Sequence, residues 1–499
     1  MTSRLLLAID QGTSSSRTVV YDDAINVVAS AQREFTQIYP QPGWVEHDPE
    51  EIWSSVEVVT QEAMQQAGAR AADIAGIGIT NQRETTLIWE RQSGRCIYNA
   101  IVWQDRRTAA HCDALKQQGA ECKVIERTGL RLDAYFSATK IAWILDNVDG
   151  ARELAATGKL AFGTIDCFLL WRLSGGRVHA TDATNASRTM LFNIHTQAWD
   201  EELLELFNIP AALLPEVMDC AADFGTTDDK VLGGAVPVCG IAGDQQAALI
   251  GQAGFEYGMT KSTYGTGCFA IANTGDKALE SHNQLLTTIA SRLNGDVDYG
   301  LEGSVFVAGS AMQWLRDELC IIDSAPQSGD IATRTGIVDD VYVVPAFAGL
   351  GAPYWDPHAR GAIVGLTRGS GRDQIITATL QAVAFQTRDL VDAMADDGIA
   401  PSVIRVDGGM VANQWFLQFL ADILDITVER PMNVESTVLG AAYLAAYQCG
   451  IIRTTDEIAK LWRLDTVFEP SMSADQREML LSGWAEAVGR VRSTVAGSP

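Results

Sequence analysis

The chain has 499 residues, 47% hydrophobic and 20% charged, enough to build a large core and too apolar for a disordered chain. Asp and Glu outnumber Lys and Arg 63 to 37, a formal net charge of −26, so neither nucleic acid nor an anionic membrane is expected as the main partner. The nine cysteines are scattered singly without C-x-x-C spacing, which points away from zinc and disulfides and towards the cytoplasm.

At roughly 150 residues per domain, two to four units are expected. The apolar runs near the N-terminus and at Val438 to Ala446 are too short for a signal segment or a membrane span.

In chain order, Leu5-Leu6-Leu7-Ala8 predicts a buried strand and Thr18-Val19-Val20-Tyr21 a second. Between them, Gly12 and four hydroxyl residues, Thr13 to Ser16, form a turn with Asp10 at its mouth. Such a turn can aim N–H groups and hydroxyls at phosphate oxygens, and the acid can hold a hard divalent cation, usually through water. The plain alternative is a polar hairpin loop.

Asp48 as N-cap, Pro49 at N1 and Glu51 at N3 open a helix that runs to about Ala67 and stops at Gly68. Strands at Ile74 to Thr80 and Thr85 to Trp89 flank Asn81-Gln82-Arg83-Glu84. On a regular strand, Arg83 and Glu84 point to opposite faces; in a turn they can converge. A convergent pair suits a neutral polyhydroxyl ligand. The alternative is an exposed ion pair worth ~0–1 kcal/mol.

Ala100 to Trp103 is a further strand, followed by a helix-rich region from Thr108 to about Leu160 and a polar loop from Thr181 to Arg188. Trp103, Tyr135 and Phe269 are ordinary core or surface aromatics in one reading. In the other they form an apolar wall for the C–H face of a polyol, with the Tyr135 hydroxyl as a polar handle.

Val236 to Gln246 repeats the opening logic of apolar strand, Gly, acid and Gln, and feeds a helix from Gln245 to about Ala253. Asp244 is either the N-cap of that helix or, at a strand end facing a cleft, a group that accepts a hydroxyl proton. Gln245 could hydrogen-bond the same acceptor. The domain boundary is expected near 250, giving units 1–250 and 251–499.

The second set opens at Thr260 with the tight turn Tyr264-Gly265-Thr266-Gly267, and Val305-Phe306-Val307 leads into a helix carrying Gln313. Arg372 to Met394 is a long helix with one apolar face. Ile404 to Val406 is a strand opening on Asp407-Gly408-Gly409, then a helix from about Ala412 to Leu424 and a strand from Ile426 to Val428.

The alternation implies α/β layers with ligands at the carboxyl ends of strands. Three Gly-containing turns, around Asp10, Thr266 and Gly409, suggest a nucleotide clamped between two halves. Asn413, one turn into its helix, is in reach of the sugar or base. No G-x-x-x-x-G-K-[ST] exists, and no G-x-G-x-x-G opens a helix after the first strand, so P-loop and dinucleotide folds are not supported. The halves are not sequence repeats; any duplication is one of element order.

With these residues assembled, the chain resembles the FGGY carbohydrate kinases over nearly its whole length, and within them the glycerol kinases. Tyr135 to Asn147 resembles the family's first signature, and Gly361 to Leu366 continuing to Ile375 the second. Asp10-Gln11-Gly12-Thr13, Asn81 to Thr85, Thr184 to Thr189 and Gly243 to Gln246 match the narrower group.

The resemblance implies an α/β, two-domain actin/hexokinase-type (ribonuclease H-like) fold closing over ATP. It implies transfer of the γ-phosphoryl group to glycerol, with Mg2+ positioned by Asp10 and Asp244 as base. Arg83, Glu84, Tyr135 and Gln245 would bind hydroxyls, with Trp103 and Phe269 on the carbons. Thr13, Ser14, Ser15 and Arg17 would border the phosphates, and Thr266, Gly309, Gln313, Gly409 and Asn413 the nucleotide.

A homo-oligomer, dimer or tetramer, is the expected assembly. Another polyol or ketose as acceptor, or a non-enzymatic actin-like scaffold, are the competing readings. The loop Thr226 to Ala235 has two acids and no Arg, and no His lies between His195 and His282, so the resemblance does not carry inhibition by fructose 1,6-bisphosphate or activation by His phosphorylation to this chain.

Overall fold

The computed structural model describes residues 4–356 and 358–493. In the first half, β1 (Leu5–Gln11), β2 (Ser15–Tyr21), β3 (Val27–Glu34), β4 (Ile74–Asn81) and β5 (Val238–Gly243) form one sheet in the order β5-β4-β1-β2-β3. The β1-β2-β3 meander is antiparallel, whereas β4 and β5 add in parallel on the other side of β1. Leu6 to Ile9 are all buried, as expected of a central strand covered on both faces.

The second half contributes β6 (Thr260–Tyr264), β7 (Cys268–Gly275), β8 (Leu286–Leu293), β9 (Asp296–Val305), β10 (Val403–Asp407), β11 (Thr427–Pro431) and β12 (Leu464–Phe468). Their order is β8-β9-β7-β6-β10-β11-β12. Without the edge strands this is the first sheet again: an antiparallel meander β6-β7-β9 with β10 and β11 added in parallel beyond β6. The duplication expected in element order is therefore present in topology. Two such units make the actin/hexokinase-type α/β fold that the sequence predicted.

The helices used below are α1 (Pro49–Gln66), α2 (Asp244–Gly251), α3 (Gly309–Asp317), α4 (Arg372–Asp396), α5 (Gln414–Leu424) and α6 (Ser436–Gln448). Asp48 caps α1, its carboxylate accepting the Glu50 N–H at 2.8 Å, and Gly68 ends it with φ +63°. Glu51 departs from the predicted capping box. It accepts from the Thr36 N–H and hydroxyl, both at 3.0 Å, and so ties the helix to the segment after β3.

The helices α2 and α6 follow the last parallel strand of each sheet and cross between the halves. At the crossing, a Cβ on Gly440 would lie 1.8 Å from the Ala247 carbonyl oxygen, and one on Gly251 would lie 2.0 Å from that of Ser436. Only glycine permits that approach. Helix α6 also lies on the first sheet, where Gly78 of β4 meets the Ala441 carbonyl.

The stretch Thr181 to Arg188, expected as a polar loop, is largely regular and wholly buried. It is a strand residue pair, a helical turn at Ala183–Ala186 and the residues after it, all buried. Its polar groups satisfy one another: Asp182 accepts from the Thr184 and Asn185 N–H groups, and Asn185 exchanges hydrogen bonds with Asn81. Among the described residues no helix is long and apolar enough to cross a membrane.

Candidate active site

Between the carboxyl ends of β4 and β5, Arg83 and Glu84 do converge. Glu84 adopts a left-handed conformation, φ +58°, which breaks the strand alternation and turns both side chains inward. The exposed ion-pair alternative fails, because both side chains are only 2% exposed. Ser137 and Lys140 hold the strained backbone by donating to the Glu84 carbonyl at 3.1 and 3.4 Å, and Lys140 also donates to the Tyr135 carbonyl.

Two further charges complete the cluster. Glu302 of β9 receives Arg83 in a bidentate pair at 2.6 and 3.1 Å, and Arg188 bridges Glu84 at 2.7 Å and Glu302 at 3.0 Å. Two guanidinium and two carboxylate groups thus neutralise one another, which makes burial tolerable. Burial alone would raise the Glu302 carboxyl, but Arg188 and Arg83 overcome it and hold it at about 2. For Glu84 burial prevails and the carboxyl is pushed up, against Arg188 and Arg83.

The fifth partner is Asp244. Its Oδ1 pairs with the Arg83 guanidinium, 3.0 Å from Nε, and accepts from the Gln245 N–H at 2.7 Å. The N-cap reading is corrected: Gly243 caps α2, Asp244 is its first residue, and the carboxylate takes no N–H deeper in the helix. Oδ2 accepts no hydrogen bond among the described residues, and the side chain keeps 31% exposure. A braced carboxylate with one free oxygen at a cleft is suited to take a proton.

Gln245 beside it is buried, its Oε1 occupied by Lys261. The three aromatics form a group of their own. Trp103 meets Tyr135 edge-on at 5.5 Å and Phe269 at 6.2 Å, and its indole N–H donates to Thr13 Oγ1 at 2.9 Å. The wall inferred from sequence is thus assembled from three distant segments and tied to the turn after β1.

That turn is shorter than predicted. It comprises residues 12–14, closed by the Gly12 N–H on the Ser15 carbonyl at 2.9 Å, while Ser15 and Ser16 belong to β2. Ser16 is buried against Ser55. Ser14 is exposed, Ser15 accepts from Gln32 at 3.0 Å, and Arg17 pairs with Glu435 at 2.5 Å.

Asp10 lies opposite Arg17 in the β1–β2 ladder. Burial, then the carboxylates of Asp244 and Glu435, push its carboxyl up to about 7, against the pull of Arg17. Among the described residues no group of three or more His, Cys, Asp or Glu side chains could enclose a metal. A Mg2+ ion commonly takes one or two carboxylates and completes its shell with water and phosphate oxygens. Two mutually repelling carboxylates, Asp10 and Asp244, fit that donor set.

Around the second-half turns the lining is backbone. The Thr266 carbonyl accepts from the Ala308 and Ser310 N–H groups at 2.9 and 3.1 Å, and Gly309, at the start of α3, donates to Gly265 at 2.9 Å. Gln313 is exposed on α3. Gly408 has φ +91° and sits on the Tyr264 backbone, where a Cβ would come within 2.6 Å of its carbonyl oxygen; a Cβ on Gly409 would meet only open space.

Asn413 is not one turn into a helix. A 3-10 turn covers Gly409–Ala412, and Asn413 caps α5, accepting the Phe416 N–H at 3.1 Å. Its Nδ2 donates to nothing among the described residues.

Sequence reasoning did not single out Arg188, Glu302, Lys140 or Lys261 as site residues. One local signal was available for two of them: Lys261 is the one charge in its short, largely buried strand, and Glu302 the one charge in the buried stretch of β9.

A duplicated α/β fold with a charged pocket on one side of a cleft and glycine turns on the other defines a class of two-lobed phosphotransferases. The chain belongs to the FGGY family of carbohydrate kinases: the model of the family's N-terminal domain matches residues 5–251 and that of its C-terminal domain residues 260–449. It is 60% identical over 491 residues to glycerol kinase 1 of Pseudomonas aeruginosa, covering 98% of this chain and 99% of that protein. It is 58% identical over 488 residues to the glycerol kinase of Alteromonas mediterranea, with 98% and 99% coverage.

Among solved structures, Plasmodium falciparum glycerol kinase with ADP superposes with a TM-score of 0.91 at 37% identity, covering 99% of both chains. Gluconate kinase of Lactobacillus acidophilus, at 22% identity, TM-score 0.88 and 98% coverage of each chain, shares the fold.

Proposed function

We propose that the chain is an ATP-dependent glycerol kinase, transferring the γ-phosphoryl group of ATP to a terminal hydroxyl of glycerol to give sn-glycerol 3-phosphate in the cytoplasm. The observation that carries this reading is Asp244: one oxygen held by Arg83, the other free, in a side chain left 31% exposed. Full-length identity of about three residues in five to glycerol kinases supports it.

In this reading the two units meet near residue 250 and the acceptor lies between Arg83, Glu84, Gln245 and the Tyr135 hydroxyl, its carbons on Trp103 and Phe269. Asp244 Oδ2 takes the hydroxyl proton as the oxygen attacks phosphorus, while Arg83 keeps the carboxylate aimed. The turn bearing Thr13, Ser14 and Ser15, with Arg17 behind it, borders the phosphates. The turn at Thr266 and residues Gly309, Gln313, Gly409 and Asn413 border the rest of the nucleotide.

Asp10 would hold Mg2+, which when bound offsets phosphate charge. Closure of the cleft keeps water from replacing the alcohol.

A coupled assay of ADP release across glycerol, dihydroxyacetone, erythritol and xylulose tests the assignment. Glycerol is expected to give the highest kcat/KM; ATP turnover indifferent to every polyol would overturn it.

A further inference from the structure

Lys261 is buried on β6 and forms no ion pair among the described residues; burial pulls its pKa down from the ordinary lysine range, against Asp407, Asp244 and Glu302, which favour the ammonium. Its three N–H bonds meet three neutral acceptors: Gln245 Oε1, Thr263 Oγ1 at 2.9 Å and the Phe269 carbonyl at 3.5 Å. Two of these partners, Gln245 and Phe269, are residues assigned above to the acceptor.

An ammonium donates and cannot accept. The Gln245 amide therefore has one permissible orientation, with Oε1 towards Lys261 and Nε2 away from it. Nε2 has no hydrogen-bond partner among the described residues, and it belongs to the residue next to Asp244, whose Oδ2 is likewise unengaged among them.

We propose that Lys261 is a positioning residue that locks Gln245 as a pure donor to the acceptor oxygen, so that Asp244 and Gln245 together present one acceptor and one donor to the alcohol. This deepens the glycerol kinase reading and rests on it. Lys261 comes from the second sheet and Gln245 from the first half. The lock therefore spans the halves, and the same ammonium supports the backbone of the aromatic that packs on the substrate carbons.

The pairing matches a hydroxyl group, which gives a proton to one partner while accepting from the other. It disfavours a protonated amine at that position, which has no lone pair to offer Nε2. Without Lys261 the amide can turn, and its oxygen would then face the acceptor oxygen.

The test is a double-mutant cycle in the full chain. Lys261→Met and Gln245→Ala are each expected to raise KM for glycerol by about tenfold, the scale of one hydrogen bond, with KM for ATP within about twofold. The double variant is expected to be no worse than Gln245→Ala alone, because the lysine acts through the glutamine. Multiplying effects, or equal effects on both substrates, would overturn the proposal.

Gln245→Glu covers the case in which Lys261→Met does not fold. It keeps an oxygen for Lys261 but removes the donor, so KM for glycerol should rise as in Gln245→Ala; an unchanged KM would overturn the lock. If the wild type phosphorylates another polyol and not glycerol, the substrate assignment fails, and the same cycle run on that polyol judges Lys261 separately.

Discussion

In the proposed assignment the two sides of the cleft bind by opposite means. The acceptor side is built from charged side chains, Arg83, Glu84, Arg188 and Glu302, sunk out of solvent and cross-braced over up to 219 residues of chain. The nucleotide side is built from backbone at Gly265, Gly309, Gly408 and Gly409. A small uncharged polyol offers little area, so discrimination must come from fixed donors and acceptors. A nucleotide offers charge and a long body, which exposed N–H groups and close backbone approach can serve. Substitutions should therefore fail differently on the two sides.

The largest effect is expected at the free carboxylate: Asp244→Ala should lower kcat by about 10²–10⁴-fold, the usual worth of a positioned base, with nucleotide affinity by calorimetry little changed. Substantial retained turnover would remove the residue from proton transfer.

Next is Arg83→Met, which leaves Glu302 and Glu84 sharing Arg188. Losing one partner of a buried pair costs about 3–5 kcal/mol, so the variant should unfold at markedly lower urea as well as lose affinity for glycerol. Unchanged stability would show that the cluster is not the brace described here.

Adjacent glycines sharpen the contrast. Gly408→Ala should destabilise, because a methyl group meets the Tyr264 backbone at a left-handed φ. Gly409→Ala should stay within about 0.5 kcal/mol of wild type in stability yet raise KM for ATP several-fold. Equal behaviour of the two in melting experiments would contradict the placement of the open side.

The smallest effect concerns acid. The Glu302 carboxyl is depressed to about 2, below its ordinary 4.5, so its stabilisation is fully present above 4.5 and is lost as pH falls through about 2. Thermal melts from pH 5 to pH 2 should show a component that disappears in Glu302→Gln.

Much of the acceptor side was legible because the first half carries its chemistry at the ends of two apolar strands: Arg83-Glu84 after β4, Asp244-Gln245 after β5. Strand boundaries and the order of elements followed from the same alternation. What could not be read was whatever reaches across. Glu302 and Lys261 lie on the other sheet, and no local spacing encodes that they meet Arg83 and Gln245.

Polarity also misled where polar groups satisfy one another. Thr181 to Arg188 reads as a polar loop, yet its side chains close a buried network. Asn413 was assigned to the body of a helix because the intervening 3-10 turn leaves no mark in hydrophobic period. Its role as cap of α5 leaves Nδ2 free.

The crossing of α2 and α6 has a mechanical corollary. Where Gly251 and Gly440 bring main chain against main chain, there is no room for a side chain at the point of contact, while Leu439, Ala441 and Tyr443 of α6 share one apolar cluster with Ala247 and Ile250 of α2 around it. A single added methyl group at either glycine would wedge the crossing and push the two halves apart there.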